Sequence, residues 1–510
     1  MASHAGGAAQ TRTAAFRTPR TRSPPEPASA VRPAVRAGSP CRFLTLELNV
    51  LQAVSPCSAA SGVLYAAPVR DRSNGTGQPL GGNPTRPVSP SAFEREETYR
   101  ATRLPVEFAS TLIPDAYVSP DFHALERDRV FGRSWVPVCV TDEVAEPGDF
   151  IVAEVAGRSL IVCRNRDGEL RAHHNVCRHR GTRICSDARG HVERFFQCPY
   201  HAWAYDLNGS CLGTPLFTPA ASIPEDQREI FDMSEVKAFD RADHSLYAAR
   251  VGSWGCLVFV CLDDDAPPLD TDLGDLPERL AGYRLAENRL VRRQEYEIEA
   301  NWKLVAENFM EYYHLPWVHP GLVKVSPMKA HYRWQGAGLY AGFCTSPIAS
   351  ADNRGWQGLP GLSTLDDSDA VSARFVWLFP NVAINALPNH TMLLLARPTS
   401  PWHTSEVFYL LSHPECLESA GDAAERGIEA LLSFWNEVNQ EDIAIVERVQ
   451  AGLADPSYTG GRMCYRFEEP VHRFQNMLVD RLLGVRRIPP GDAVEQAPMF
   501  PASGVSKTSA

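Results

Sequence analysis

Two groups of metal-ligating residues constrain this chain more than any other feature of its sequence. The first group comprises Cys177 and His179, followed after eighteen intervening residues by Cys198 and then His201. Two thiolates and two imidazoles can hold a [2Fe-2S] cluster, with the thiolates on one iron and the imidazoles on the other. A structural zinc site is the alternative, but zinc sites usually pair their cysteines as Cys-x₂₋₄-Cys. The spacing therefore favours an iron–sulfur cluster.

The second group is built around His314 and His319. Pro316 cannot continue a helix, so the two histidines lie where a helix ends. Two histidines and one carboxylate form the facial triad of non-haem Fe(II) oxygenases, which leaves coordination positions open for O2. The carboxylate must come from another part of the chain. Asp442, on a predicted long helix, is the candidate and Glu441 is the runner-up, pointing about 100° away around the helix.

One of these sites can store an electron and the other can bind dioxygen, and a chain with both is most simply interpreted as an oxygenase. The alternative is an electron carrier that holds the cluster and performs no iron chemistry. The pair His314 and His319 argues against a carrier, because the cluster alone would not need a second metal site.

Composition narrows the class of protein further. The 510 residues, 44% hydrophobic and 22% charged, suit a soluble globular protein of two or three domains. The net charge of −11 argues against nucleic-acid binding, and no apolar run is long enough to predict a transmembrane helix. The thirteen cysteines do not form a disulfide pattern, which is typical of a reducing compartment.

The first part of the chain differs from the rest. Residues 1–92 are rich in Ala, Ser, Pro and Gly, and the first 90 contain ten arginines, no lysine and only three acidic residues. This composition predicts a disordered leader, typical of a transit peptide. A plastid is favoured over a mitochondrion, which predicts the chloroplast stroma, with mitochondrion and cytoplasm left open.

Hydrophobic patterns predict an α+β protein in which structure begins near Ser119. An all-β domain is predicted over 134–262, and a Pro/Asp-rich linker over 263–277. The catalytic domain is predicted from 116–133 and 278–485, with an antiparallel sheet and one long C-terminal helix from about Ala423 to Leu453. A flexible tail is predicted over 486–510.

The residues around both groups resemble the α-subunits of Rieske non-haem iron oxygenases. The matching segments are Asn175-Val-Cys-Arg-His-Arg-Gly, Gln197-Cys-Pro-Tyr-His-Ala-Trp, Asn301-Trp-Lys, and Glu311-x-x-His314-x₄-His319-Pro320. The resemblance extends over about residues 116–485. It is greatest to the branch that contains choline monooxygenase and the betaine and carnitine oxygenases.

This resemblance implies an all-β Rieske [2Fe-2S] domain and a helix-grip catalytic domain that binds mononuclear Fe(II). It implies that Asp442 is the third iron ligand, because the segment from Glu441 to Leu453 matches the family text. It also implies that Glu311 links His314 to a Rieske histidine of a neighbouring subunit in a homotrimer. Ala202 departs from the family, which commonly has glycine there, and we expect a negative φ at this alanine.

The branch implies a ferredoxin-dependent monooxygenase that oxidises choline to betaine aldehyde hydrate, with O2 as co-substrate. Its cation is expected to lie among aromatic side chains, for which the candidates are Tyr312, Trp317 and Trp377, followed by Tyr313 and Phe379. Because the chain has neither a dinucleotide-binding loop nor a plant-type ferredoxin cysteine run, electrons must come from a separate protein. Another quaternary ammonium compound, or an aromatic or pigment substrate, remains the alternative.

Overall fold

The computed structural model describes residues 89–215, 217, 239–324, 326–346, 348 and 359–491. Within these ranges no helix is both long and apolar enough to cross a membrane. All eleven cysteines of the described residues are free. Burial raises the pKa of several of these thiols, for example that of Cys256 to about 12, so they behave as small apolar side chains.

The chain enters the fold through two short helices, α1 (Asp115–Val118) and α2 (Pro120–Arg129). Ser119 caps α2 by accepting a hydrogen bond from the backbone N–H of Phe122. Ten strands then form the first β-rich part: β1 (Val136–Val140), β2 (Asp149–Val155), β3 (Arg158–Arg164), β4 (Leu170–His174), β5 (Arg189–His191), β6 (Phe195–Gln197), β7 (Ala204–Asp206), β8 (Cys211–Gly213), β9 (Ala248–Trp254) and β10 (Leu257–Cys261).

These strands form two antiparallel sheets. Seven of them follow the order β1-β10-β9-β4-β3-β2-β5, and the other three form the small sheet β6-β7-β8. β1 and β10 are buried at every position, which matches their continuous apolar sequences. The segments that carry the first metal-ligating group follow β4 and β6, so the two sheets together position that group.

The second part of the fold surrounds a seven-stranded antiparallel sheet in the order β11-β17-β16-β15-β14-β13-β12. Its elements are α3 (Leu269–Leu273), α4 (Leu276–Arg279), β11 (Arg289–Ile298), α5 (Trp302–Met310), α6 (Leu315–Val318), β12 (His331–Arg333), β13 (Tyr340–Thr345), β14 (Ala373–Leu378), β15 (Val382–Leu387), β16 (His390–Ser400), β17 (His403–Ser412), α7 (Pro414–Ala420), α8 (Ala424–Leu453) and α9 (Tyr465–Leu482).

Along the central strands, successive side chains point to opposite faces of this sheet. Met392 and Leu394 of β16 belong to the core that includes α5 and α8. Leu393 and Leu395 belong to the opposite core, with Leu276 of α4. The helix-bearing face therefore contains the space in which a site between sheet and helices can form.

Several expectations about segment boundaries are wrong. The segment predicted to be a linker contains α3 and α4. The leucines of these two helices are buried because they pack against the sheet. The C-terminal region has a second helix, α9, beside α8.

The two ends of the described chain also differ from expectation. Residues 89–92 are ordered and include a 3-10 turn at Pro90–Ala92, while residues 1–88 of the predicted leader lie outside the described residues. Residues 486–491 pack on the fold, since Arg473 donates hydrogen bonds to the carbonyls of Pro489 and Pro490. The remainder of the predicted tail lies outside the described residues.

A buried ion pair joins α2 to α5. The Nζ of Lys303 donates to Oε1 of Glu126 at 2.7 Å and to Oδ1 of Asn301 at 2.7 Å. Both side chains are almost fully buried, at 0% and 1% exposure. Trp302 adds a hydrogen bond from its indole N–H to the other carboxylate oxygen. The pair therefore links the entry of the chain to the helix that precedes the second metal-ligating group.

We expect Lys303→Met to lower the free energy of unfolding by about 3–5 kcal/mol, because it leaves the Glu126 carboxylate buried without its counter-ion. Urea denaturation followed by fluorescence measures the change. The control is Arg127→Met, which breaks the exposed pair of Arg127 and Asp128 and should cost less than about 1 kcal/mol. Equal losses in the two variants would contradict the stabilising role of the buried pair.

Candidate metal centres and substrate cavity

The first metal-ligating group lies on two adjacent loops. Cys177 and Cys198 are buried at 3% and 1% exposure. The hydroxyl of Tyr205 lies 3.3 Å from the Sγ of Cys177 and accepts a hydrogen bond from the backbone N–H of Arg178 at 3.0 Å. The Cys198 N–H donates to the carbonyl of Trp203. Tyr205 of β7 therefore supports the thiol of Cys177, and the backbone hydrogen bond to Trp203 holds the loop that carries Cys198.

The two histidines of this group lie further out. The Nδ1 atoms of His179 and His201 are 3.1 Å apart, so both ring nitrogens face one point. His179 stacks on Trp203, with ring centroids 4.9 Å apart and planes 9° from parallel. His201 is exposed and its ring contacts the exposed Tyr200. Two inner thiols and two outer imidazoles are a donor set that fits a [2Fe-2S] cluster with mixed ligands.

Ala202 adopts a φ of +57°, so the expected negative φ is wrong. Its backbone N–H donates to the carbonyl of Cys198 at 3.0 Å, which closes the loop around the ligand positions. Ala202 therefore has the left-handed backbone conformation that glycine adopts more readily, and this conformation strains an alanine.

The two histidines of the second group lie in and after the segment that joins α5 to α6. Asn301 caps α5, and the helix ends at Met310 before the segment that contains Glu311. The chain then turns through His314 into α6, whose second residue is Pro316. This break places the rings of His314 and His319 with their centroids 5.1 Å apart. An uninterrupted helix would have separated residues five apart around its axis.

Asp442 of α8 completes this group. Its Oδ1 lies 2.8 Å from the Nε2 of His319 and 3.5 Å from the Nε2 of His314. Ligand atoms of the three residues all lie within 4.8 Å of one another. The predicted set of two imidazoles and one carboxylate is thus brought together, and it is the donor set that non-haem Fe(II) oxygenases use.

The other nitrogen of each imidazole also has a carboxylate partner. Nδ1 of His314 lies 2.5 Å from Oε1 of Glu311, and Nδ1 of His319 lies 2.6 Å from Oε2 of Glu441. A proton on each Nδ1 is therefore stabilised, and each Nε2 is free to bind a metal. Glu441, the runner-up as a ligand, lies behind His319 instead.

The sequence reasoning did not assign a role to Asn308. Its Nδ2 donates to Oδ1 of Asp442 at 2.6 Å, so it holds the carboxylate from the side of α5. The available signal was its position near the C-terminal end of α5, three residues before Glu311.

A cavity opens at the second group, with about 60 Å³ of accessible space inside it. The residues that line it include the His314, His319 and Asp442 set, Asn308 and Glu311, together with Phe309, Leu315, Leu322, Ser326, His331, Phe343, Phe375, Asn385, Met392, Leu394, Trp435, Val438 and Asn439.

None of the residues predicted to form the aromatic cage lines this cavity. Trp317 is 71% exposed on the outer surface. Tyr312 is buried behind the wall, where its hydroxyl donates to the carbonyl of Arg466. Trp377 packs against Phe474, and its indole N–H donates to the carbonyl of Pro380. Tyr313 and Phe379 also lie outside the lining.

Four other aromatic residues line the cavity instead: Phe309, Phe343, Phe375 and Trp435. Periodicity was the signal that could have found part of the lining. Trp435, Val438 and Asn439 precede Asp442 by seven, four and three residues, and so share its face of α8. The strand residues required the register of the sheet, which sequence alone does not supply.

His331 contributes a neutral polar side chain to the wall of the cavity. Burial lowers the pKa of its imidazole to about 4, so the ring is uncharged at neutral pH. Its Nδ1 faces the carbonyl of Pro327 at 3.0 Å, which places the proton there. Nε2 then faces the hydroxyl of Ser326 at 3.3 Å.

Two family models match the chain, each over a different region. The model of the Rieske [2Fe-2S] domain matches residues 134–224, and that of the ring-hydroxylating alpha subunit catalytic domain matches residues 285–484. These regions contain the first and the second metal-ligating group, respectively.

Individual proteins are similar over most of their length. A chloroplastic choline monooxygenase of Arabidopsis thaliana is 27% identical over 78% of this chain and 88% of its own. The glycine betaine monooxygenase oxygenase subunit of Chromohalobacter salexigens is 27% identical over 72% and 84%, respectively. The crystal structure of a quaternary ammonium Rieske monooxygenase in complex with L-carnitine superposes with a TM-score of 0.60 at 23% identity, covering 75% of this chain and 98% of that one.

The two family models, together with the monooxygenases among the relatives, identify a Rieske-type, iron-dependent monooxygenase. The chain belongs to the α-subunits of the Rieske non-haem iron oxygenases. Its cofactors are accordingly a Rieske [2Fe-2S] cluster and a mononuclear iron, and an external donor supplies its electrons.

We expect Glu441→Ala to weaken Fe(II) binding by about 10- to 100-fold, because His319 loses the acceptor that orients its ring. Competition with a chelator on anaerobically reconstituted protein measures the dissociation constant, while the cluster absorbance should stay unchanged. Gln440→Ala, an exposed neighbour on α8, is the control. Equal affinity in the two variants would exclude the orienting role of Glu441.

Proposed function

We propose that this monooxygenase oxidises choline to betaine aldehyde hydrate, the first step of glycine betaine synthesis, with reduced ferredoxin as the electron donor. The observation that carries the proposal is the lining of the cavity. It contains four aromatic side chains, and the described residues of the lining include no lysine or arginine. Such surroundings favour a substrate with a fixed positive charge.

The proposed ligand roles follow from the two donor sets. Cys177 and Cys198 would bind one iron of the cluster, and His179 and His201 the other. His314, His319 and Asp442 would hold the mononuclear iron. When bound, these groups supply a stored electron and a site for O2.

Trp435 supports the cation proposal in a specific way. Its indole N–H donates to Nε2 of His390 at 2.7 Å, so the polar edge is already occupied. Phe343 and Phe375 stack with their centroids 4.7 Å apart and planes 13° from parallel. Stacking covers one face of each of these two rings, so the surfaces that would contact the methyl groups of a trimethylammonium ion are those that line the cavity.

The same lining favours choline over zwitterionic relatives such as carnitine and glycine betaine. A substrate carboxylate would be desolvated in the cavity and would require a cationic or hydrogen-bonding partner. A hydroxyl group is neutral and fits beside Asn385 or Ser326 without such a partner.

We expect O2-dependent betaine aldehyde from choline when the protein is supplied with reduced ferredoxin. The neutral isostere 3,3-dimethylbutan-1-ol should bind more weakly by about 1–2 kcal/mol, the contribution of a desolvated cation–π contact. Product analysis and calorimetric binding measure the two effects. Turnover of carnitine or glycine betaine without choline would refute the substrate. Turnover of an aromatic compound alone would refute the quaternary ammonium class.

We also propose a homotrimer in which the electron crosses between subunits through Glu311. His201 and Tyr200 are exposed at the tip of the first centre, and Trp317 and Tyr313 are exposed beside the second. Exposed aromatic side chains at both centres support burial against a neighbouring subunit. A head-to-tail ring would bring the two kinds of surface together.

Co-expression of two inactive chains tests this route. Cys198→Ala should lose the cluster and keep mononuclear iron, whereas His314→Ala should keep the cluster and lose that iron. Each homo-oligomer should be inactive, and mixed oligomers should regain activity because one subunit's cluster serves the other's iron. Metal analysis and native mass spectrometry verify the species. Inactive mixed oligomers that contain both centres would exclude transfer between subunits.

The leader composition supports import into a plastid, whose stroma supplies reduced ferredoxin. The curated relatives from plants are named as chloroplastic choline monooxygenases. We propose the stroma as the location on these two grounds.

A further inference from the structure

Asn385 and Asn439 line the cavity at the proposed iron site, and the amide oxygen of Asn385 is buried without a hydrogen-bond partner among the described residues. Starting from the proposed function, we infer that Asn385 and Asn439 direct these oxygens at the methyl groups of the substrate's ammonium, and that Glu406 is the positioning residue that orients Asn439. These residues would then set the preference for a cation over a neutral molecule of the same shape.

Asn385 lies on β15 and is 1% exposed. Its Oδ1 is buried without a hydrogen-bond partner among the described residues. Its Nδ2 faces only the thioether sulfur of Met392, at 3.8 Å. A buried amide without an adequate partner is unfavourable, and such groups normally have a function that explains them. Because Asn385 lines the cavity, a bound substrate can satisfy it.

Asn439 lies on α8, three residues before Asp442, so it faces the same side of the helix as the proposed iron ligand. Its Nδ2 donates to Oε1 of Glu406 at 2.8 Å. Glu406 lies on β17 and is 1% exposed. An ionised carboxylate can only accept hydrogen bonds, so it holds the amide N–H toward the sheet. The amide oxygen of Asn439 is thereby turned away from Glu406.

The chemistry of the ligand suits such oxygens. A quaternary ammonium has no N–H group, and its positive charge is spread over the hydrogens of its methyl groups. These hydrogens make C–H···O contacts with amide oxygens, in addition to contacts with aromatic faces. A neutral isostere has the same methyl groups without the charge and gains less from the same contacts. Two amide oxygens therefore add selectivity without an additional buried charge.

The test measures the ratio of dissociation constants for 3,3-dimethylbutan-1-ol and choline, using the metal-loaded enzyme under anaerobic conditions. Burial raises the pKa of Glu406 to about 7, so the measurements are made at pH 8, where this carboxylate is mostly ionised. Asn385→Leu and Asn439→Leu should each lower the ratio by about 2- to 5-fold, the worth of one C–H···O contact. Asn385→Asp, which keeps an oxygen at this position and adds a negative charge, should not lower the ratio.

Asn381→Leu is the matched control. Asn381 is also buried, at 2% exposure, and its Oδ1 also has no partner among the described residues. It lines a different cavity, beside Arg397, and not the one at the proposed iron site. Its substitution should leave the ratio unchanged, which separates the effect of position from that of losing a buried amide.

Glu406→Gln tests the positioning role, because glutamine can hydrogen-bond either end of the Asn439 amide. The variant should lower the ratio in the native background and have no further effect in the Asn439→Leu background. A purely structural role would change stability equally in both backgrounds and leave the ratio unchanged.

The outcomes separate this inference from the function on which it rests. A native enzyme that binds choline no better than its isostere would overturn the proposed function. A native enzyme that prefers choline, with an unchanged ratio in metal-loaded Asn385→Leu and Asn439→Leu, would overturn the inference alone. Should Asn439→Leu fail to retain its metals, Asn385→Leu decides the question by itself.

Discussion

The catalytic half of the structure depends on one carboxylate that is held between two imidazoles. Oδ1 of Asp442 lies beside Nε2 of both His314 and His319 and accepts a hydrogen bond from Asn308. With a proton on each Nδ1, the two Nε2 lone pairs and Oδ1 of Asp442 face one point, where a bound metal ion would hold them together. Each partner comes from a different part of the α5–α6–α8 arrangement. A shift of any of these helices would change all of the contacts together. The buried pair of Lys303 and Glu126 stabilises the start of α5 and so acts on the same arrangement.

Helix α8 links this metal centre to the choice of substrate. One face of the helix carries Trp435, Asn439 and Asp442, so the cavity wall and the proposed iron ligand move as one rigid unit. The neighbouring residue Glu441 contacts the outer nitrogen of His319. Successive residues of the helix thus hold the imidazole on two sides, one at the position of the metal and one behind it. A rotation of about 100°, one residue along the helix, would exchange these roles.

The two metal centres could be predicted from sequence because their ligands lie in short segments with characteristic residue types. Cys177 and His179 share one loop, and His314 and His319 flank one helix break. Asp442 was distinguishable from Glu441 only through family resemblance, since both positions are on the same helical turn. The substrate cavity could not be predicted in this way. Trp317 has the right chemistry beside the right histidine, yet its side chain faces outward, and Phe343 and Phe375 meet only through the pairing of β13 with β14. The type of a residue indicates which ligands it can bind, whereas the register of the sheet decides whether its side chain points into the cavity.

The contacts of Glu311 bear on its proposed role between subunits. Oε2 accepts hydrogen bonds from the backbone N–H groups of Tyr313 and His314, and Oε1 lies beside Nδ1 of His314. A carboxylate has about four acceptor positions, so three are occupied and one on Oε1 remains. A histidine from a neighbouring subunit can therefore join the same oxygen without displacing a contact inside this chain. The side chain is 14% exposed, which leaves a small opening for that approach. Because one oxygen would then contact both imidazoles, a bridge through Glu311 requires no rearrangement of the segment that holds His314.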